Sequence, residues 1–171
     1  AREFGDFMEF GGLIYHDFED CVLPEQLDRD FVQGLDVVVG IDPGIRNAGI
    51  VWVGFDSDLT AWVFDELLLQ DKTPRDYAQA IRERNSWWGL TEISYVSDPT
   101  ARSRSLVNAE TVANLLANEG IYCNAGQADR QAGFAQMRTR RGQGRFHVDP
   151  RCLGIRDEAD DYAAKEPDEG R

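Results

Sequence analysis

The run Val37-Val38-Val39-Gly40-Ile41-Asp42 constrains the fold more than any other segment. It is β-branched at nearly every apolar position and stops at Asp42-Pro43-Gly44, a turn signal. A strand with one wet face alternates apolar and polar residues, whereas this one does not, so it must be buried on both faces. A sheet covered on both sides is therefore expected. Gly49–Phe55 reads as a second strand, Asp56-Ser57-Asp58 as a turn, and Leu59–Leu67 as a third strand returning in a hairpin. The short Pro43–Ala48 connection pairs the first strand with the second.

Helical signals begin after these strands. Thr73-Pro74 supplies a cap and a first-turn proline for a helix ending near Gly89. Ile93–Asp98 is a fourth strand stopped by Pro99, and Ser103–Asn118 has helical periodicity with Gly120 just beyond. Ile121–Cys123 reads as a strand, Asp129–Arg141 as a helix, Phe146–Val148 as a strand and Cys152–Lys165 as an acidic helix. Residues 1–36 show no clear period and read as an extended lead-in, with one strand at Leu13–Tyr15. The order implies an α/β fold: a mixed sheet of five or more strands, three antiparallel and the rest parallel, with helices on its faces. With 171 residues there is room for one domain, residues 37–171, preceded by the lead-in.

Composition removes several classes. No apolar run exceeds four residues, far short of the about 20 a spanning helix needs, so no membrane role is expected. The start lacks an apolar stretch behind a basic head, which argues against secretion. Cys21, Cys123 and Cys152 are odd in number and widely spaced, unlike a disulfide framework or a zinc knuckle, and point to a reducing compartment. The net charge of −13 is unevenly spread. Residues 130–156 carry seven arginines against Asp149 alone. Arg140, Arg141 and Arg145, around Gly142 and Gly144, suit a loop gripping DNA phosphates, or equally a solvated helix end. Arg46, in the loop after Asp42, reads either as a phosphate contact or as support for that loop.

The chemistry centres on two aspartates. Asp42 ends the first strand and Asp98 the fourth, each before a proline. Either alone is an ordinary turn starter. If the two strands are parallel neighbours, both carboxylates leave the sheet at one edge and repel unless a cation lies between them. Carboxylates without His or Cys companions favour magnesium or manganese. His16 and His147 have no companions at ligand spacing and read as structural or exposed. Ser103 and Ser105 lack a base for nucleophilic chemistry.

The string Val39-Gly40-Ile41-Asp42-Pro43-Gly44, followed by Asn47–Val51 and a hairpin, resembles the first motif of ribonuclease H-like nucleases. The whole order is similar to the nuclease domain of phage terminase large subunits. Tyr95–Pro99 resembles their second acidic motif, Val63–Glu66 with Asp76-Tyr77-Ala78 their third strand and first helix, and Phe146–Val148 with Glu158 and Tyr162 their late strand and helix. Gly12–Tyr15 is similar to the lead-in from their ATPase half, and no phosphate-binding Gly-x4-Gly-Lys loop is present. The resemblance implies a metal-dependent endonuclease that cuts concatemeric viral DNA in the host cytoplasm. Its implied partners are double-stranded DNA, an ATPase domain, the portal and the small terminase subunit. It implies two divalent cations, Mg2+ or Mn2+, about 4 Å apart, shared by Asp42 with Asp98 holding one. A third carboxylate is implied beyond Arg171, with Asp157, Glu158 or Asp161 as candidates within the chain. A Holliday-junction resolvase-like nuclease and a catalytically inactive docking module of the same fold are the alternatives.

Overall fold

The computed structural model describes residues 17–43, 47–98, 111–126 and 129–161. Six strands form one sheet: β1 (Asp36–Asp42), β2 (Asn47–Phe55), β3 (Ala61–Gln70), β4 (Ile93–Ser97), β5 (Cys123–Ala125) and β6 (Phe146–Val148). Their order across the sheet is β5-β4-β1-β2-β3-β6. β1, β2 and β3 are successively antiparallel, while β4 is parallel to β1, β5 to β4 and β6 to β3. The helices are α1 (Arg29–Gln33), α2 (Pro74–Trp88), α3 (Val112–Asn118), α4 (Arg130–Gly142) and α5 (Leu153–Asp161). None of the described helices is long and apolar enough to cross a membrane.

The alternation of β1 and β2 divides two apolar cores. Val37, Val39, Ile41, Ala48, Ile50 and Trp52 face one, with Tyr77, Ala78, Ile81 and Trp88 of α2 and Leu116 of α3. Val51, Val53 and Phe55 face the other, beneath Met137 of α4 and Ile155 and Ala159 of α5. Trp52 is fully buried, and its Nε1–H donates to Asn85 Oδ1 at 2.8 Å, while Asn85 Nδ2 donates to the Tyr95 hydroxyl at 3.0 Å. A register shift between Trp52 and Val53 re-aims β3. Val63 faces the second core, but Phe64 and Asp65 both turn to the α2 side, where Trp88 Nε1–H donates to Asp65 Oδ2 at 2.7 Å.

α2 starts where its sequence signals place it, with Thr73 and Asp76 forming a reciprocal capping box and Pro74 in the first turn. It ends at Gly89, whose φ of 72° is left-handed; a Cβ there would also lie 2.6 Å from Gln33 Nε2. Other boundaries differ from expectation. β5 is Cys123–Ala125 rather than Ile121–Cys123, because Ile121 is drawn into the first core and the chain pairs with β4 only beyond it. α3 starts at Val112, since Thr111 adopts an extended backbone and caps the Asn114 N–H; residues 103–110 lie outside the described residues, as does the strand expected at Leu13–Tyr15. The lead-in from Asp17 onward is not extended throughout. It holds a 3₁₀ turn at Phe18–Cys21 and α1, and it buries Phe18, Cys21 and Val32. Val22 bridges Val148, so this segment lies along β6.

Candidate metal centre

Strand pairing decides what Asp42 and Asp98 can do. β1 and β4 run parallel in register from Val37↔Ile93 to Ile41↔Ser97, and the next ladder bond runs from the Asp98 N–H to the Ile41 carbonyl at 3.3 Å. Asp98 therefore stands opposite Asp42 on strands whose backbones are about 4.8 Å apart. Ile41 and Ser97 are buried on the α2–α3 side. Alternation carries Asp42, which is exposed, to the other face; Asp98 is half-buried. Two carboxylates at adjacent strand ends suit a hard cation with oxygen ligands. Among the described residues no group of three or more His, Cys, Asp or Glu side chains forms a complete ligand set.

Among the described residues, no remaining candidate joins this pair in a group of three. Asp157 and Glu158 are exposed on α5, and Asp161 ends that helix with its side chain outside the described set. Arg46 also lies outside the described residues. Arg140, Arg141 and Arg145 sit at the opposite end of the sheet. The Arg145 carbonyl accepts from Ala61 N–H at 3.0 Å, Ala61 pairs with Phe55, and Phe55 pairs with Asp36, six residues before Asp42. At about 3.3 Å per residue, that is an offset of about 20 Å from Asp42 along the strands, with further strand spacings across the sheet. The arginine-rich stretch is in large part a set of tethers. Arg140 donates to the Leu59 carbonyl and lies over Phe55; Arg141 Nε donates to Cys21 Sγ at 3.3 Å; Arg156 pairs with Glu19 at 2.8 Å; Arg151 pairs with Asp149 at 2.7 Å.

Sequence reasoning gave Glu66 no structural task, yet it fixes α5. Its two carboxylate oxygens accept from the Gly154 and Ile155 N–H groups at 2.6 and 2.8 Å. A helix start offers unpaired N–H groups, and here the acceptor comes from a strand 88 residues earlier. A Cβ on Gly154 would lie 3.2 Å from Glu66 Oε1, so the missing side chain permits this approach. Only the pairing of distant segments reveals it. Asp149 is similar: fully buried, it accepts from the Leu27 N–H at 2.8 Å and from Arg151 Nε and Nη2 at 2.8 and 2.7 Å. Burial pushes its carboxyl upward, but the Arg151 and Leu27 hydrogen bonds and the Arg151 charge outweigh it and leave the group below its ordinary value. Burial pushes the Cys152 thiol well up, which leaves it unreactive. His147 stacks on Trp62 at 4.4 Å and ligates nothing among the described residues. Trp88 is buried and belongs to the core, whereas Trp87 is 47% exposed with Arg29 over one face of its ring at 4.4 Å.

No protein-family model matches the sequence, and no curated protein matches it. Solved structures do match. The nuclease domain of the P22 large terminase aligns with a TM-score of 0.71 at 14% identity, over 91% of this chain and 84% of that one. The large terminase of the thermophilic bacteriophage D6E in complex with ADP aligns with a TM-score of 0.74 at 17% identity; the chain spans 38% of its length. The g2p (large terminase) nuclease domain of bacteriophage SPP1 with bound Mn aligns with a TM-score of 0.63 at 14% identity, over 88% of this chain and 84% of that one. The chain thus has the ribonuclease H-like fold of phage large-terminase nuclease domains.

Proposed function

We propose that the chain is the nuclease domain of a phage DNA-packaging terminase and hydrolyses phosphodiester bonds of concatemeric double-stranded viral DNA in the host cytoplasm. Its partners in that setting are an ATPase domain, the portal and the small terminase subunit. The single observation that carries this reading is the parallel β1–β4 register, with Asp98 opposite Asp42 at the sheet edge. The SPP1 nuclease structure with bound Mn, which shares the fold, adds support for a divalent cation.

Asp42 and Asp98 would hold two divalent cations, Mg2+ or Mn2+. Bound there, the cations supply Lewis-acid stabilisation of charge on the phosphoryl group. The chain's own part is positional. The β1–β4 ladder fixes both aspartates at the sheet edge, and exposure of Asp42 leaves room for a phosphate to approach.

Supercoiled plasmid with manganese tests this. Wild type is expected to nick and linearise it, with Asp42→Asn and Asp98→Asn each reducing the rate by about 10²-fold or more, a loss of about 3 kcal/mol of transition-state stabilisation. Cutting by the double variant at the wild-type rate would overturn the assignment.

A further inference from the structure

On the face to which Asp42 turns, α4 runs to the far end of the sheet and packs Met137 into the second core. There Gln136, Thr139, Arg140, Gln143 and Arg145 surround a shallow concavity of about 460 Å³ beside Leu59. Its rim carries two guanidinium groups, two amides and a hydroxyl, with Leu59 and Ala135 supplying apolar surface between them. Arg140 is held in place by the Leu59 carbonyl and the Phe55 ring, so its charge is presented in a fixed position. The Arg145 side chain is exposed, and its carbonyl is the atom anchoring the loop to Ala61. Of the nearby acids, Asp58 is exposed beside Leu59, while the Asp56 carboxylate accepts from Trp62 Nε1–H and the Asp58 and Thr60 N–H groups. Arg140 and Arg145 have no carboxylate partner among the described residues, so on a chain of net charge −13 they offer a local site for a polyanion.

We infer that this concavity grips the sugar-phosphate backbone of duplex DNA flanking the cut, offset from Asp42 by about 20 Å along the strands and by further strand spacings across the sheet. The along-strand offset alone corresponds to about six base pairs at about 3.4 Å per step. The inference rests on the nuclease reading and adds a length dependence to it: a short duplex occupies one place at a time, and a longer one reaches both at once. Arginine forks suit paired phosphate oxygens, and contacts of this kind position DNA without reading its sequence.

Fluorescence anisotropy with calcium in place of manganese measures binding without depending on cutting. The probes are a linker-closed duplex of about 5 base pairs and an open duplex of about 24 base pairs. Wild type is expected to bind the long probe more tightly. Arg140→Gln/Arg145→Gln should weaken long-probe binding about tenfold and lower the slope of log affinity against log salt by about 0.9 per arginine. The short probe, which cannot span both places, should lose less. Arg145→Gln alone leaves the Leu59 contact intact and should lower the slope by about 0.9, with an unchanged melting temperature. An unchanged slope, as expected if the patch serves an acidic protein segment instead, or equal weakening on both probes, overturns the inference. Loss of manganese-dependent cutting in Asp42→Asn, alongside an arginine-independent slope, would defeat the patch and spare the nuclease reading. Length-dependent binding by a protein that never cuts would do the reverse.

Discussion

Ser97 ends β4 beside Asp98, is 2% exposed, and has an Oγ without a hydrogen-bond partner. A buried hydroxyl without a partner loses its hydration and gains nothing. Ser97→Ala is therefore expected to hold or raise stability, by up to about 1 kcal/mol, in urea unfolding. A loss of more than about 1 kcal/mol would show that the hydroxyl has a partner after all. Asp149 is the opposite case, a buried carboxylate with every lone pair engaged. Asp149→Asn should cost about 3 kcal/mol near neutral pH, because it leaves Arg151 with an uncharged partner. The folded carboxyl sits below its ordinary value of 3.8, so its contribution is present above that value and disappears as pH falls through the folded value. Melting temperatures of wild type and Asp149→Asn should converge on acidification below about pH 4; a constant gap would refute this account.

Elements show where distant segments cooperate. Thr73, Pro74 and Gly89 delimit α2 by local signals, and the helix forms between them as the sequence indicates. α5 depends instead on β3, because Glu66 supplies the acceptors for its first turn. Glu66→Ala should destabilise the protein by about 1–2 kcal/mol and raise hydrogen exchange at Gly154 and Ile155 above that of α2. Equal protection of both helices in the variant would remove Glu66 from this role. Asp42 and Asp98 could be read from the sequence as two strand ends. What made them a pair was the parallel pairing of β4 with β1 after the α2 crossover.

At the scale of the whole molecule, side chains of opposite charge lie at opposite ends of the sheet. The acidic pair lies at one end of the sheet and the Arg140–Arg145 patch at the other, both on the face carrying α4 and α5. A cation that binds only the folded state must raise stability, by about 2.7 kcal/mol at a hundred times its dissociation constant. Manganese is thus expected to raise the melting temperature of wild type and not that of Asp42→Asn/Asp98→Asn. An equal rise in both would trace the effect to the chain's general acidity. The sequence by itself determined β1 to β4 and β6, the capped helix α2 and the two acidic strand ends, since these follow from local periodicity, turn chemistry and branched side chains. Only the tertiary structure decided that β1 is fully buried on one face alone, that Asp98 stands opposite Asp42, that Glu66 caps α5, that Asp149 ties Arg151 to Leu27, and that Arg140 and Arg145 lie at the other end of the strands from the acids. Each of these depends on strand order and register, and pairing between residues far apart in sequence leaves no local periodic signal.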